Sequence, residues 1–195
     1  MTLPSGSAAM SHEELVIRVT APEDVGYAQA ASALIERASH DHEIATRTPE
    51  ELAVQIRLGN AVIALMDGVL IGFGYFKVWS DLAISHSGLV VEPKFRGRKI
   101  GKRLKLLLCE ESKRRVPEGR MISLTTSPQV RHMNVELGFE VVSLAQLTSD
   151  PKFWAGCRGC HNFDRVNEPG STEGEVTPTG ERCCCEGMCR LNSGS

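Results

Sequence analysis

The chain has 195 residues, of which 42% are hydrophobic and 24% are charged, and its formal net charge is −2. This composition predicts a water-soluble globular protein with one core of ordinary size and an appendage. The small net charge gives no support to a partner such as nucleic acid or an anionic membrane.

The first part of the chain predicts a strand and a helix after a polar start. Residues 1–12 are small and polar and are expected to be disordered, and without a targeting pattern we expect a cytoplasmic location. Alternating apolar residues predict a strand at 15–20, and Thr20 is a candidate N-cap for a helix that runs to about Ser39. The His-Asp-His-Glu segment at 40–43 has the residue types of a metal cluster, but we favour a solvated loop because no further ligand is near.

A second helix and a hairpin follow. Thr48, Pro49 and Glu51 supply an N-cap, a proline at the first helical position and a capping box, and they predict a helix that ends near residue 58. An Asp-Gly turn between apolar runs then predicts an antiparallel hairpin that ends at Val78.

The next segments alternate between strands and helices. We predict strands at 84–91, 120–126 and 139–144, with helices at 101–115 and 128–137 between them. The order of elements is therefore β-α-α-β-β-β-α-β-α-β, in one domain that covers residues 13–150.

The main functional signal is the loop between the strand at 84–91 and the following helix. A strand that leads through such a loop into a helix N-terminus forms an anion site, because unpaired amide groups and the helix dipole face the ligand. The loop lacks the ending of a P-loop and the spacing of a dinucleotide site. A phosphorylated ligand is predicted, and a solvated basic turn is the alternative. The surrounding cations are Lys94, Arg96, Arg98, Lys99 and Lys102.

This loop resembles the acyl-CoA pyrophosphate loop of the GNAT superfamily of N-acetyltransferases, whose pattern is Arg/Gln-x-x-Gly-x-Gly/Ala after a strand ending in Val-x-Pro. Arg96 and Gly101 match this pattern, whereas Lys99 stands where a glycine is commonest. The order of elements along the chain also resembles that of the superfamily. The resemblance implies an α/β (α+β) fold with a mixed, mostly antiparallel sheet flanked by helices. It also implies an acyl-CoA co-substrate, most simply acetyl-CoA. Arg96 would add charge, and the implied backbone contacts to CoA come from Leu89, Val90, Val91, Gly97, Arg98, Lys99, Gly101 and Lys102.

Two short segments are similar to the N-acetylglutamate synthases within this superfamily. One is Leu124-Thr125-Thr126 with the Gly-Phe turn at 138–139, and the other is the segment 46–52 around Arg47. They imply acyl transfer to the α-amine of an amino acid, with glutamate as first candidate, as in arginine biosynthesis. Acetyl and succinyl donors both remain open. The synthases typically carry an arginine where this chain has Ser127.

The predicted site needs groups that move protons and bind carboxylates. His86 and His132 are the titratable candidates for catalysis, although a structural role is the favoured interpretation of each histidine. Thr125 is a third candidate catalytic residue. Superfamily members often use a tyrosine on the helix at 128–137 as an acid, and this chain has none there. Bidentate arginine suits a carboxylate, so the predicted substrate residues are Arg47, then Arg131, with Thr126 as a further contact.

Six of the seven cysteines follow residue 156, in a Cys-rich extension at 151–195. Two Cys knuckles joined by a polar linker predict a structural zinc site in a reducing compartment. The predicted ligands are Cys157, Cys160, Cys183 and Cys185, with Cys189 in reserve. A similar tail in a bacterial branch of these acyltransferases supports this prediction. A disulfide-paired tail, a redox or iron–sulfur centre and an unstructured end are the alternatives.

Functions of other classes also remain open at this stage. An acetyltransferase that acts on another small amine or on a protein amine would share the loop and the fold. A non-catalytic CoA-binding regulatory module would keep the loop without substrate groups. Acyl-CoA and a small amino acid are the expected partners, and a homodimer is a further expectation that the sequence leaves undetermined.

Overall fold

The computed structural model describes residues 13–42 and 45–192, although the side chains of residues 40–42 are not included. The predicted disordered start at 1–12 lies outside the described residues, and so does the side-chain chemistry of the segment 40–43. Among the described residues, no helix is long and apolar enough to cross a lipid bilayer.

Nine strands and six α-helices make up the described structure. The strands are β1 Leu15–Val19, β2 Ala61–Met66, β3 Val69–Val78, β4 Ala83–Val91, β5 Arg120–Thr125, β6 Glu140–Val142, β7 Glu175–Val176, β8 Arg182–Cys183 and β9 Glu186–Leu191. The helices are α1 Ala28–His42, α2 Pro49–Arg57, α3 Ile100–Arg115, α4 Pro128–Glu136, α5 Pro151–Ala155 and α6 Phe163–Val166. The predicted order of elements through β6 is confirmed.

The helix starts show one confirmed and one wrong prediction. The Thr48 hydroxyl accepts from the Glu51 amide at 3.2 Å, and the Glu51 carboxylate accepts from the Thr48 amide at 2.9 Å, so the capping box is present. Thr20 is not an N-cap, because its hydroxyl donates to the carbonyl groups of Ile56 and Ala61. Asp24 instead accepts from the amide of Ala21 at 2.8 Å at this helical start.

Seven strands form one sheet in the order β1-β2-β3-β4-β5-β9-β6. Only β4 and β5 pair in parallel; the other described neighbours in this sheet are antiparallel. Helices α1 and α2 cover one face, around Leu34, Ile56 and Phe73. Helix α3 covers the other face with Leu104 and Leu108. The expected mixed, mostly antiparallel sheet between helices is therefore observed.

The Cys-rich extension does not stay outside this sheet. Strand β9 enters between β5 and β6, where Cys189 lies opposite Ile122 and Met188 lies opposite Val141. Met188 is fully buried. The segment between β6 and β9 folds over the sheet on Trp154, which is 1% exposed. The composition change at residue 150 therefore does not mark an edge of the sheet.

Candidate active site

A gap opens between β4 and β5 in the middle of the sheet. Their parallel pairing ends where Ser85 lies opposite Ile122, although β4 continues to Val91 and β5 continues to Thr125. Beyond this point the edges of the two strands that face each other are unpaired, so their backbone groups are available to a ligand.

A bulge in β4 explains the separation. Phe73 pairs with Val90 and Tyr75 pairs with Ser87, so two steps along β3 match three steps along β4. Gly88 lies inside this bulge with φ +61, in the left-handed region that glycine adopts without steric cost. Because a bulge bends its strand and increases its twist, β4 turns away from β5 here.

A cleft of about 460 Å³ occupies this gap and continues to both faces of the sheet. The α1 and α2 side contributes Arg47 and Tyr75, and the α3 side contributes His86 and Lys105. The floor of the gap is formed by β5 residues including Thr125. This volume is in the range of small-ligand sites.

The basic loop lies where α3 begins, beyond the end of β4. Lys99 is the N-cap of α3 and has φ +60, so the lysine adopts the left-handed conformation that a glycine would provide. Gly97 also has a positive φ, at +79. The amides of the first turn after Lys99 have no intrahelical partner, because an α-helix leaves its first N–H groups unpaired. The loop therefore retains the geometry of an anion site.

The predicted cations around this loop differ in their availability. Arg96 folds back and donates from Nε to the Val91 carbonyl at 3.2 Å. Lys102 pairs with Glu136 at 2.9 Å, and this ammonium lowers the pKa of the Glu136 carboxyl. Arg98 lies over the ring of Phe95, 5.3 Å from its centre. These side chains are solvent-exposed, so the structure is compatible with a basic turn as well as with a phosphate cradle.

Arg47 is positioned on the α1 and α2 side of the cleft. Its Nε donates to the Tyr75 hydroxyl at 2.7 Å, and its Nη1 donates to the Thr46 carbonyl at 2.7 Å. Its carbonyl accepts from the Ser32 hydroxyl at 2.7 Å. The loop before α2 is thus tied both to α1 and to β3, and these contacts fix the guanidinium at the cleft wall.

His86 lies on the opposite side and is 6% exposed. Its Nε2 is 2.8 Å from the Ser112 hydroxyl of α3, whereas its Nδ1 has no partner among the described residues. Burial lowers the His86 pKa well below its ordinary value, with smaller effects from Lys105 and Arg190. The ring is therefore neutral at neutral pH, so His86 is not positioned to act as a cationic acid.

The structure does not bring His132 and Arg131 into the main cleft. His132 is 78% exposed and lies 3.7 Å from Glu136, one turn later on α4. Arg131 pairs with Glu186 at 2.7 Å and borders a smaller surface depression beside Thr126. The catalytic role of His132 therefore stays a prediction, and its ring, exposed to solvent on α4, is not among the residues that line the cleft. Arg131 is likewise already paired, outside the cleft.

Lys105 is the residue that sequence reasoning missed. It lies on α3, is 1% exposed, and places its ammonium 4.7 Å from the ring centre of Phe139. Burial lowers the Lys105 pKa to about 8. The sequence signal for its burial is its position between the buried leucines at 104 and 108. This signal is ambiguous, because a long charged side chain at such a position often extends to solvent.

Thr125 and Thr126 both line the cleft at the end of β5. The Thr125 hydroxyl accepts from the amide of Ser127 at 3.0 Å, which closes the turn into α4. Ser127 is the N-cap of α4, and its hydroxyl accepts from the Val130 amide at 3.4 Å. Thr125 therefore has a structural role at the strand end beside the cleft.

The predicted zinc ligands form one wall of the cleft. The thiols of Cys157 and Cys185 hydrogen-bond to Cys183, which lowers the Cys183 pKa and raises the pKa of both partners. Cys160 is close enough to raise the pKa of both Cys157 and Cys185 further. All seven cysteines are free, which excludes the disulfide-paired tail in this structure. In the described part of the chain, however, no three or more His, Cys, Asp or Glu side chains are arranged to hold a metal ion.

The charge of the cleft is strongly one-sided. Among the described residues that line it, one carboxylate, Glu51, faces five cationic side chains: Arg47, Lys77, Lys105, Lys152 and Arg182. That carboxylate is already bonded to the Thr48 amide. An anionic ligand is therefore favoured over a cationic one.

Comparisons with known proteins agree with this architecture. A profile of the acetyltransferase (GNAT) family matches residues 29–139, more than half of the chain. A search of curated proteins returned no significant match.

Three solved structures illustrate the likeness. The N-acetylglutamate synthase from Neisseria gonorrhoeae, complexed with coenzyme A and N-acetyl-glutamate, has a TM-score of 0.62 and 19% identity over 92% of this chain and 35% of that chain. The chain thus spans 35% of the length of that synthase. Rv2747 from Mycobacterium tuberculosis, in complex with CoA, has a TM-score of 0.61 and 18% identity over 90% of this chain and 98% of its own. A phosphinothricin acetyltransferase from Sinorhizobium meliloti, in complex with acetyl-CoA, has a TM-score of 0.57 and 19% identity over 93% of this chain and 90% of its own. At these identities the likeness concerns the fold.

Proposed function

Because the chain belongs to the acetyltransferase (GNAT) family, we propose that it transfers an acetyl group from acetyl-CoA to the α-amine of an acidic amino acid, with glutamate as first candidate. The observation that carries the acceptor class is the charge of the cleft, where five cations face one engaged carboxylate. A dicarboxylic amino acid complements this charge, whereas the lysine side chain of a protein or a polyamine would be repelled.

The CoA assignment rests on the loop and the gap. The unpaired amides at the start of α3 and the positive φ of Lys99 and Gly97 suit a pyrophosphate. The pantetheine arm would then enter between β4 and β5 along Leu89, Val90 and Val91. In this arrangement, unpaired backbone N–H groups of β4 stabilise the oxyanion that forms at the thioester carbonyl.

Arg47 is proposed to hold an acceptor carboxylate. Its Nε is held by Tyr75, so the remaining guanidinium N–H groups are presented at a fixed orientation. Thr126, on the same cleft, is a further proposed contact. Holding the amine against the thioester supplies much of the rate enhancement, since positioning is worth up to about 7–11 kcal/mol in favourable cases.

A thiol-release assay with acetyl-CoA and a panel of amines tests the acceptor. We expect turnover with glutamate, less with glutamine, and none with a lysine-containing peptide. Succinyl-CoA tests the donor in the same format. Turnover with the peptide but not with glutamate would overturn the acceptor assignment, and CoA binding without turnover on any amine would favour a regulatory module.

Variants of Arg47 sharpen this test. We expect Arg47→Met to raise the KM for glutamate at least tenfold, since a charge-assisted hydrogen bond is worth about 1.5–3 kcal/mol, and to leave the CoA affinity unchanged. Arg57→Met is the matched control, because Arg57 is exposed at the end of α2, the helix that follows the Arg47 loop, and does not line the cleft. Equal effects of the two substitutions would exclude a substrate contact at Arg47.

We also propose that Cys157, Cys160, Cys183 and Cys185 hold a structural zinc ion. Four interacting thiols have the donor chemistry of such a site. Their side chains would have to rearrange and lose protons on binding, because the described residues do not form a metal centre as they stand.

Metal analysis of protein purified without chelator decides this proposal. We expect about one zinc per chain, lost in Cys160→Ser and retained in Cys109→Ala, whose thiol lies on α3. Absence of zinc in the parent protein, with folding unchanged in chelator, would contradict it.

The free cysteines support a reducing compartment, so a cytoplasmic location stays our proposal. The homodimer stays a prediction.

A further inference from the structure

Lys105 is a buried cation without an anionic partner. It is 1% exposed, and within the described residues no carboxylate forms an ion pair with it. The ring of Phe139, 4.7 Å from its ammonium, is the stabilising contact on one side. An uncompensated buried charge is costly, so its retention calls for an explanation beyond packing.

The location of Lys105 supplies that explanation. Helix α3 begins at the basic loop and runs back along β4, until Ser112 reaches His86 near the closed end of the gap. Lys105 lies between these points, five residues into the helix and so about 7 Å from its start. Its side chain lines the cleft from the α3 side. In the proposed function the CoA pyrophosphate lies at the start of this same helix, so Lys105 is on the side of the cleft nearest to the proposed CoA arm and opposite to Arg47.

Resting on the proposed acetyl transfer, we propose that the Lys105 ammonium protonates the sulfur of CoA as the carbon–sulfur bond breaks. Helix α4 has no tyrosine to do this, and His132 on that helix points to solvent. His86, a second titratable group at this end of the gap, is held neutral by burial, which lowers its pKa.

The amine nitrogen adds to the thioester carbonyl carbon and forms the carbon–nitrogen bond. When the carbon–sulfur bond breaks, its electron pair goes to sulfur, and a proton from Lys105 Nζ converts the thiolate to the thiol. The nitrogen loses one proton as it becomes an amide, and this proton restores the ammonium through water. Neutral amine and thioester thus become amide and thiol, with the protein unchanged.

The surroundings suit this proton transfer. The pKa of Lys105, about 8, leaves its side chain mostly protonated at neutral pH. This pKa is close to that of an alkyl thiol, about 8.5, as suits proton transfer between the two groups. The titratable and charged groups at this end are His86 on β4, Cys109 on α3 and Arg190 on β9. Burial raises the Cys109 pKa, so its thiol is not a competing anion at neutral pH.

Titration of bound CoA tests the contact independently of the acceptor. The thiolate of CoA absorbs in the ultraviolet, and the complex with desulfo-CoA gives the baseline. We expect the thiol of bound CoA to ionise about one pH unit lower in the parent protein than in Lys105→Met, because a neighbouring cation favours the thiolate. Lys113→Met, an exposed lysine in the last turn of α3, is the matched control and should titrate like the parent.

The pH dependence of kcat provides the second readout. In the parent, we expect kcat to decline above about pH 8 as Lys105 loses its proton. With any amine that turns over, we expect Lys105→Met to lower kcat by at least about 100-fold and to lack this alkaline decline. Bound CoA that titrates identically in both proteins, or a kcat and pH profile unchanged by the substitution, would overturn the role of Lys105. Failure of the parent protein to bind CoA at all would instead overturn the proposed function.

Discussion

Arg47 and Tyr75 join the loop before α2 to the central strand β3 through a 2.7 Å hydrogen bond in which the guanidinium donates to the phenol oxygen. Tyr75 is 3% exposed, and its ring packs 6.2 Å from that of Phe73 in the core between the sheet and α1. The cleft arginine is therefore oriented by a residue that is itself fixed by packing. The Cys157 pKa is raised mainly by its hydrogen bond to Cys183, and Arg47 offsets a small part of this rise, so the guanidinium lies near the cysteine wall.

The first prediction follows from this orientation. Tyr75→Phe keeps the packed ring and removes the hydroxyl, so we expect the KM for the acceptor to rise about 3–10-fold, as for the loss of one hydrogen bond of about 0.5–1.5 kcal/mol. The CoA affinity should not change. Tyr27→Phe is the control, because the Tyr27 hydroxyl donates to the Gly68 carbonyl, outside the residues that line the cleft. An acceptor KM that is unchanged in Tyr75→Phe would show that Tyr75 does not orient Arg47 for binding.

Gly88 gives a prediction about the gap itself. An added Cβ would combine a positive φ of +61 with contacts of 3.0 Å to Tyr75 and 3.1 Å to Ile35. We therefore expect Gly88→Ala to lower the free energy of unfolding by about 1–3 kcal/mol, as measured by urea denaturation. Gly26→Ala is the control, since Gly26 has open space around it and no positive φ. Equal stability of the two variants would mean that the bulge accepts a side chain without strain.

Much of this architecture was predictable because its signals are local. The capping box at Thr48, the Asp-Gly hairpin and the helix after the basic loop are each set by residues a few positions apart. The position of Arg47 on the cleft was also predicted, through a resemblance to a family. The same local reasoning placed His132 near the chemistry, but which face of α4 meets the sheet depends on contacts distant in sequence.

The insertion of β9 was not predictable in this way. The strand Glu186–Leu191 is short, and it pairs with β5 and β6 across more than 40 residues of intervening chain. Its composition is that of the Cys-rich segment, so it looked like part of an appendage. The burial of Lys105 was not predicted for a related reason, because a lysine among apolar helix residues normally extends its ammonium to solvent.

The position of β9 leads to a prediction about fragments. A chain that ends at residue 150 lacks the strand between β5 and β6 and exposes the core around Phe139, where Met188 packs. We expect this fragment to lack a cooperative thermal transition, whereas a fragment of residues 13–192 should unfold cooperatively. A cooperatively folded fragment of residues 13–150 that binds CoA would show that the extension is a separable unit.

Lys105 leads to the last prediction, in which stability and activity change in opposite directions. Its pKa is lowered from 10.5 to about 8 because the folded protein disfavours the buried ammonium, which corresponds to a cost on the order of 3 kcal/mol. Below pH 8 both the folded and unfolded states carry this proton, so the cost is fully present at neutral pH. Between about pH 8 and 10.5 the unfolded state binds more protons, so this group makes stability rise with pH until the cost disappears.

Lys105→Met removes the charge and keeps a similar apolar volume, so the variant should be more stable than the parent at pH 7, by about 1–3 kcal/mol in urea denaturation. This gain should shrink as the pH is raised from 8 towards 10. Lys113→Met, exposed on the same helix, should show neither the gain nor its pH dependence. A parent protein more stable than Lys105→Met at pH 7 would mean that the ammonium has a stabilising partner in the fold. A more stable but slower variant would instead show that the buried charge is retained for catalysis at the expense of stability.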